Sequence, residues 1–234
     1  VTIPRDNILN VAVLNDRINL EDIAYGKAFK LLVYSNVSYR EVNIIATTLP
    51  IMNIDTKGKH EVSEDYSKAA IRLFDNRADI RNHEFTSDAK IKLRGSTSLI
   101  LEKKSYRLSL LDGESSNHAD LLGMRRDDDW ILNSLYGDQE KVRNILSAQL
   151  WYDCCAEHNE FGAQNAFEYR YVELFVDNSY AGLYLLGYKP DKKTADLGSN
   201  EFIYKSNDWS NAKVLREDPN FTRYYELDSK YADE

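Results

Sequence analysis

An α+β fold, a mainly antiparallel sheet backed by a long helix, is the architecture this sequence predicts. Three observations point to it. Short apolar runs recur along most of the chain, each bounded by Asn, Asp or Gly turn residues. One stretch after Asp138 repeats its apolar residues every fourth position, the spacing of a helix face. Tyr171 to Val176 and Tyr180 to Leu186, around Asp177-Asn178-Ser179, read as a β-hairpin.

In chain order, residues 1–48 form a β-rich N-terminal extension, with strands at Val11–Leu14, Phe29–Tyr34 and Val42–Ile45. Residues 49–234 form the second expected domain. Pro50 introduces a central strand, Ile51–Ile54, which the turn residues Asp55-Thr56-Lys57-Gly58 close. Ala69–Phe74 is a further strand, and the polar stretch from Asp75 to Asp88 is expected to be a loop or hairpin tip. Two alternating strands follow, at about 89–95 and 104–111. The helix is expected to start near Asp138, a suitable N-cap, and to end near Asn159–Gly162. Its stripe of Val142, Leu146, Leu150 and Cys154, with Ile145 beside them, should pack on the sheet. Phe202-Ile203-Tyr204-Lys205 is a last short strand.

Composition narrows the function classes. The 234 residues carry a formal net charge of −8, which makes nonspecific nucleic-acid binding unfavourable. No apolar run reaches the length of a membrane span. Cys154 and Cys155 are the two cysteines, adjacent in sequence, so a disulfide framework is excluded. No metal site is expected from them, because His158 alone lies near. The 16 tyrosines suit both partly exposed sheet positions and wet binding surfaces.

The stretch with most chemical content is Lys92-Leu93-Arg94-Gly95-Ser96-Thr97-Ser98, followed by Lys103-Lys104-Ser105-Tyr106-Arg107. A strand runs into a Gly/Ser/Thr bend, and the chain returns on a strand opening with two lysines. Backbone N–H groups, hydroxyls and cations converging on one bend suit a phosphate group. By alternation Lys104 shares the apolar face with Tyr106, Leu108 and Leu110, where an ammonium requires an anion or must snorkel. Lys103 takes the solvated position.

These segments resemble, in order, the spore-coat protein H (CotH) kinase family. The resemblance rests on Arg94-Gly95-Ser96-Thr97-Ser98, Lys103-Lys104-Ser105-Tyr106-Arg107, Leu121-Leu122-Gly123 and Asp128-Asp129-Trp130-Ile131-Leu132. It continues through Asp138 with Arg143-Asn144, and through Tyr171–Val176 to Gly182–Leu186. It implies the nucleotide-binding lobe of an atypical protein-kinase-like fold, moving phosphoryl groups from ATP with Mg²⁺ to serines of secreted or coat proteins. Arg94, Gly95 and Ser96 would then lie over the phosphates, and Lys104 would hold them. Arg143 and Asn144 would orient the site, or close the turn from Asp128 to Asp138 by ion pairing. An extracellular, cell-surface or spore-coat location follows from the same resemblance, with a protein substrate or coat protein as partner.

Two departures accompany it. Tyr188 stands where the family has Glu, and the family's C-terminal aspartate motif does not occur up to Glu234. The chain is therefore expected to be the nucleotide-side portion, without the catalytic part. The alternative is a noncatalytic surface or coat binding module. A carboxylate-pair glycosidase using Asp127–Asp129 and Glu173 is disfavoured, because three consecutive aspartates cannot all face one cleft.

Overall fold

The computed structural model describes residues 10–14, 21, 28–35, 38–59, 61–154, 167–189, 191, 193 and 194. Contacts divide the chain into two compact units: Val1–Pro50 with Asn76–Ala78, and Ile51–Asp75 with Asp79–Glu234. The first unit holds a three-stranded antiparallel sheet in the order β1 (Asn10–Val13), β2 (Phe29–Tyr34), β3 (Tyr39–Ile44).

The second unit is a closed barrel. Its strands are β4 (Ile51–Asp55), β5 (Ser67–Phe74), β6 (Glu84–Arg94), β7 (Ser105–Asp112), β9 (Asp129–Asn133), β10 (Tyr169–Val176) and β11 (Ser179–Tyr188). The order round the barrel is β6-β5-β4-β10-β11-β9-β7, and a β6–β7 pairing closes it. The short β8 (Ser115–Ser116) adds to β7. Closure depends on the 11-residue β6, which pairs β5 along its first part and β7 along its last, from Asp88 to Arg94. A closed sheet leaves no unpaired edge in these strands. All pairings are antiparallel except β4 with β10.

Alternation fills the interior. On β5, Ala69, Ile71 and Leu73 point inward while Lys68 and Arg72 face solvent. Leu108, Trp130, Leu132, Val172 and Tyr184 meet them in the core. At the β10–β11 turn, Asp177 and Asn178 take positive φ values of 49° and 63°, the backbone of a tight two-residue hairpin. The Asp177 carboxylate accepts hydrogen bonds from the Thr56 N–H (2.8 Å) and hydroxyl (2.7 Å), which ties this turn to the end of β4.

Three expectations need correction. The fold class is mainly β, a seven-stranded closed barrel, and not the helix-backed sheet of a kinase nucleotide-binding lobe. The helix α1 (Arg143–Cys154) begins five residues after Asp138 and has no buried residue. Its stripe does not pack on the sheet: Val142, Leu146 and Leu150 are 43%, 52% and 51% exposed, and Cys154 is exposed. At 100° per residue, these positions lie roughly half a turn from Asn144, Ala148 and Trp151, which line a cleft against β10. The apolar spacing was real, but it marked the outward face. The polar stretch expected to run to Asp88 gives way to β6 at Glu84. The expected helix end, Cys155 and the strand at Phe202–Lys205 lie outside the described residues. Among those described, no helix is long and apolar enough to cross a membrane.

Candidate functional site

The bend between β6 and β7 is built on a glycine. Gly95 has φ +132°, and a Cβ there would overlap the Ser98 Oγ and lie 3.2 Å from the Ser98 Cβ. A side chain there is strained on both counts. A 3-10 turn, Thr97–Ile100, follows, with Leu99 N–H donating to Ser96 O (3.0 Å) and Leu101 N–H to Ser98 O (3.2 Å). Ser96 itself is exposed and makes no capping hydrogen bond through its side chain.

Lys104 sits at this bend. Its Nζ donates to the Leu99 and Leu101 carbonyls, each at 2.6 Å, so the ammonium braces the turn by its backbone oxygens. An ammonium has three N–H donors, and two are engaged here. The Lys104 carbonyl accepts from the Tyr184 hydroxyl at 2.8 Å, which links the loop to the barrel interior. Tyr184 is buried and stacks on Tyr106, with centroids 6.1 Å apart. Burial, followed by the neighbouring Tyr106, holds the Tyr184 phenol protonated well above its usual range.

Lys103 is not the solvated lysine that alternation predicts. Its Nζ donates to Leu183 O at 2.6 Å and lies 4.2 Å from the centre of the Tyr184 ring. The absent Cβ of Gly182 makes the space, since one there would come within 3.3 Å of Nζ. Loss of solvation, with the charge of Lys141, pulls the Lys103 pKa down to about 8 against the opposing pull of Glu173. Unfolding would restore an ordinary lysine, so the unfolded chain binds this proton more tightly, and Lys103's contribution favours folding increasingly from about pH 8 towards 10.5. Lys103 is therefore expected to react with an amine-selective acylating reagent ahead of the exposed lysines at pH 8, as read by peptide mass spectrometry.

Arg94, at the end of β6, faces outward, where burial lowers its guanidinium pKa beside Tyr169 and Arg107. Burial raises the Tyr169 phenol pKa, against the pull of the Arg94 charge and of the Asn144 side chain. Around them lies a cleft of about 540 Å³ between α1 and β10, lined by Arg143, Asn144, Trp151, Phe167, Tyr169 and Thr194. Asp138 and Arg143 are joined mainly to each other: Arg143 N–H donates to the Asp138 carboxylate at 2.8 Å, and the guanidinium reaches Asp138 (3.5 Å) and Glu140 (2.8 Å). Burial opposes ionisation of Asp138, but the Arg143 N–H and charge prevail and hold its pKa below the usual carboxylate value. Asp138 therefore caps the helix start. The fold thus gathers Gly95, Ser96 and Lys104 on one loop, and Arg94 with Asn144 on its outer side. Lys103, Tyr169 and Tyr184 are the neighbours of these groups that sequence reasoning did not single out.

The run Asp127-Asp128-Asp129-Trp130 lies elsewhere on the barrel, and each carboxylate meets a cationic side chain or His118, with Lys193 shared by Asp127 and Asp128. Asp127, with a fully buried side chain, meets Arg125 at 2.6 Å and Lys193 at 3.0 Å. Asp128 lies 3.6 Å from His118, and Asp129 pairs with Arg107 at 2.6 Å. The indole N–H of Trp130 donates to Asp127 O at 3.0 Å. A family model described as CotH kinase protein matches residues 91–234, more than half of the chain, taking in this run and the Gly95 bend. The chain belongs to the CotH kinase family. No curated protein matches it.

A CotH-type kinase would use ATP and a divalent metal. Among the described residues, His118, Asp127 and Asp128 place ligand atoms within 4.8 Å of one another. These residues do not fit a metal. The Asp127 oxygens already face the Arg125 guanidinium, the Lys193 ammonium and the Asp128 N–H, so a dication would meet two positive charges.

Proposed function

We propose that this CotH-family chain binds ATP and serves the transfer of phosphoryl groups to serines of secreted or coat proteins, at the cell surface or in a spore coat. The observation that carries the reading is the position of the Lys104 ammonium, 2.6 Å from two carbonyls of the Gly95 bend rather than in bulk water. Bracing uses two of its donors and leaves the third for a phosphate oxygen. Arg94 and the Ser96 hydroxyl flank the same bend, and Lys103, though desolvated, remains mostly cationic at pH 7. No metal step is assigned to the described residues.

Calorimetric titration of the 234-residue chain with ATP tests this. A charge-assisted hydrogen bond contributes about 1.5–3 kcal/mol, so Lys104→Met is expected to weaken ATP binding by about tenfold or more, with Lys104→Arg retaining part of it. Unchanged affinity in Lys104→Met would remove the lysine from the site. The second reading, a noncatalytic coat or surface binding module, is favoured by the Asp127 and Asp128 carboxylates being spent on Arg125, Lys193 and His118. It predicts no ATP binding at millimolar concentration by the wild-type chain.

A further inference from the structure

The outer face of β5, β6 and β7 concentrates cations on a chain whose net charge is −8. Lys68 lies directly opposite Lys90 across β5–β6, and Lys92 directly opposite Arg107 across β6–β7. Arg94 continues the row, paired with Ser105. Like charges directly opposed on a sheet destabilise it. Arg107 is paired with Asp129 at 2.6 Å, and Arg72 further along β5 with Glu84; among the described residues no acidic side chain forms an ion pair with Lys68, Lys90 or Lys92. Tyr66 offers its ring to the second pair, with Lys92 Nζ at 4.8 Å and Arg107 at 5.7 Å. This leaves the Lys68–Lys90 repulsion in place.

We infer that this face is a docking surface for a short, extended acidic segment of a partner protein. Lys90, Lys92 and Arg94 project from alternate residues of β6, about 7 Å apart, which is the spacing of carboxylates at alternate positions of an extended peptide. The row spans about 14 Å, bounded below by Asp88 and above by the cleft around Tyr169. That length accommodates a few acidic residues, and the negative charge elsewhere on the chain opposes a long polyanion. The barrel is closed, so recognition runs through side chains and not through added strand pairing. Arg94 is shared with the proposed nucleotide site, but Lys68, Lys90 and Lys92 lie outside the Gly95 bend, so the inference is tested at Lys90.

Fluorescence anisotropy with the full 234-residue chain tests it, using a fluorescein-labelled peptide of about ten residues that alternates Asp with Ser. Binding is expected at low ionic strength and should weaken as salt approaches about 0.15 M. Lys90→Glu replaces a repulsive cross-strand pair with an attractive one. It is therefore expected to weaken peptide binding by about tenfold while leaving the melting temperature equal or higher. Because the barrel stays folded in this variant, its ATP titration reports separately on the nucleotide site. Three results would each overturn the inference: unchanged peptide affinity in Lys90→Glu, equal binding of a peptide with the same composition but its Asp residues clustered at one end, or equally tight binding of an oligonucleotide of matching charge.

Discussion

Asp127→Ala is expected to lower the unfolding free energy by about 3 kcal/mol, because it removes the most buried member of a charge cluster and leaves Arg125 only Asp191, at 3.4 Å, and Lys193 only Asp128, at 3.7 Å, among the described residues. The Asp127 side chain is fully buried, while Arg125 and Lys193 are 23% and 39% exposed. Arg125 loses its shorter ion pair, 2.6 Å against 3.4 Å to Asp191, while its guanidinium stays over the Tyr188 ring, 4.0 Å from the centre. The Asp128 N–H, 2.9 Å from the Asp127 carboxylate, loses its acceptor as well. For a chain of this size the loss corresponds to a fall of about 10 °C in melting temperature. Asp127→Asn, which keeps the shape and one acceptor, should fall between wild type and alanine. Burial works against the ionised carboxylate, but the bonds from Lys193 and Arg125 outweigh it, so the folded pKa lies below 3.8. A carboxyl depressed by folding contributes its full stability above the unfolded value and loses it as pH falls through the folded value. The gap between wild type and Asp127→Ala should therefore be constant at neutral pH and close only below about pH 4. Urea titrations at a series of pH values measure it, and a gap that narrows near neutrality would contradict the ion-pair account.

Gly95→Ala is expected to remove measurable ATP binding while leaving the barrel folded. The +132° φ angle is one an alanine adopts only under strain, of about 1–3 kcal/mol, and the new Cβ would overlap Ser98 Oγ. The loop must then move, and with it the carbonyls that place the Lys104 ammonium. Since the bend lies outside the barrel core, the melting temperature should fall by only several degrees. Gly137→Ala is the matched control: nothing lies within 4 Å of its added Cβ and its φ is not in the left-handed region, so both readouts should be unchanged. Adding Ser98→Ala to Gly95→Ala relieves the overlap but not the φ strain, and should recover binding only in part. Wild-type affinity in Gly95→Ala would show that the bend does not hold the nucleotide.

The legible parts of the fold were those with local causes. Alternation in Ala69–Phe74, the glycine at 95, and the Asp177-Asn178 turn each reported their own backbone, because period-two burial and positive φ are properties of a few neighbouring residues. Asp138 was legible as the group that satisfies the helix start, although the helix begins later than its capping chemistry suggested. The stripe of Val142, Leu146 and Leu150 misled because periodicity establishes that a helix has an apolar face without stating what that face meets. In the same way, an inward/outward pattern is identical in an open sheet and in a closed barrel.

The order of strands along the chain, the Gly95 bend with its cations, and membership of the CotH family's motif series were set by residues close in sequence. Tertiary structure decided the rest. β6 is long enough to pair two neighbours and close the sheet, and α1 turns its Asn144 side to the cleft by Tyr169. Of the adjacent lysines, 104 braces the loop while 103 enters the space left by Gly182 and loses its water. That last division was invisible in one dimension because Lys103 and its acceptor Leu183 are 80 residues apart, and an ammonium's solvation depends on what the folded chain places around it.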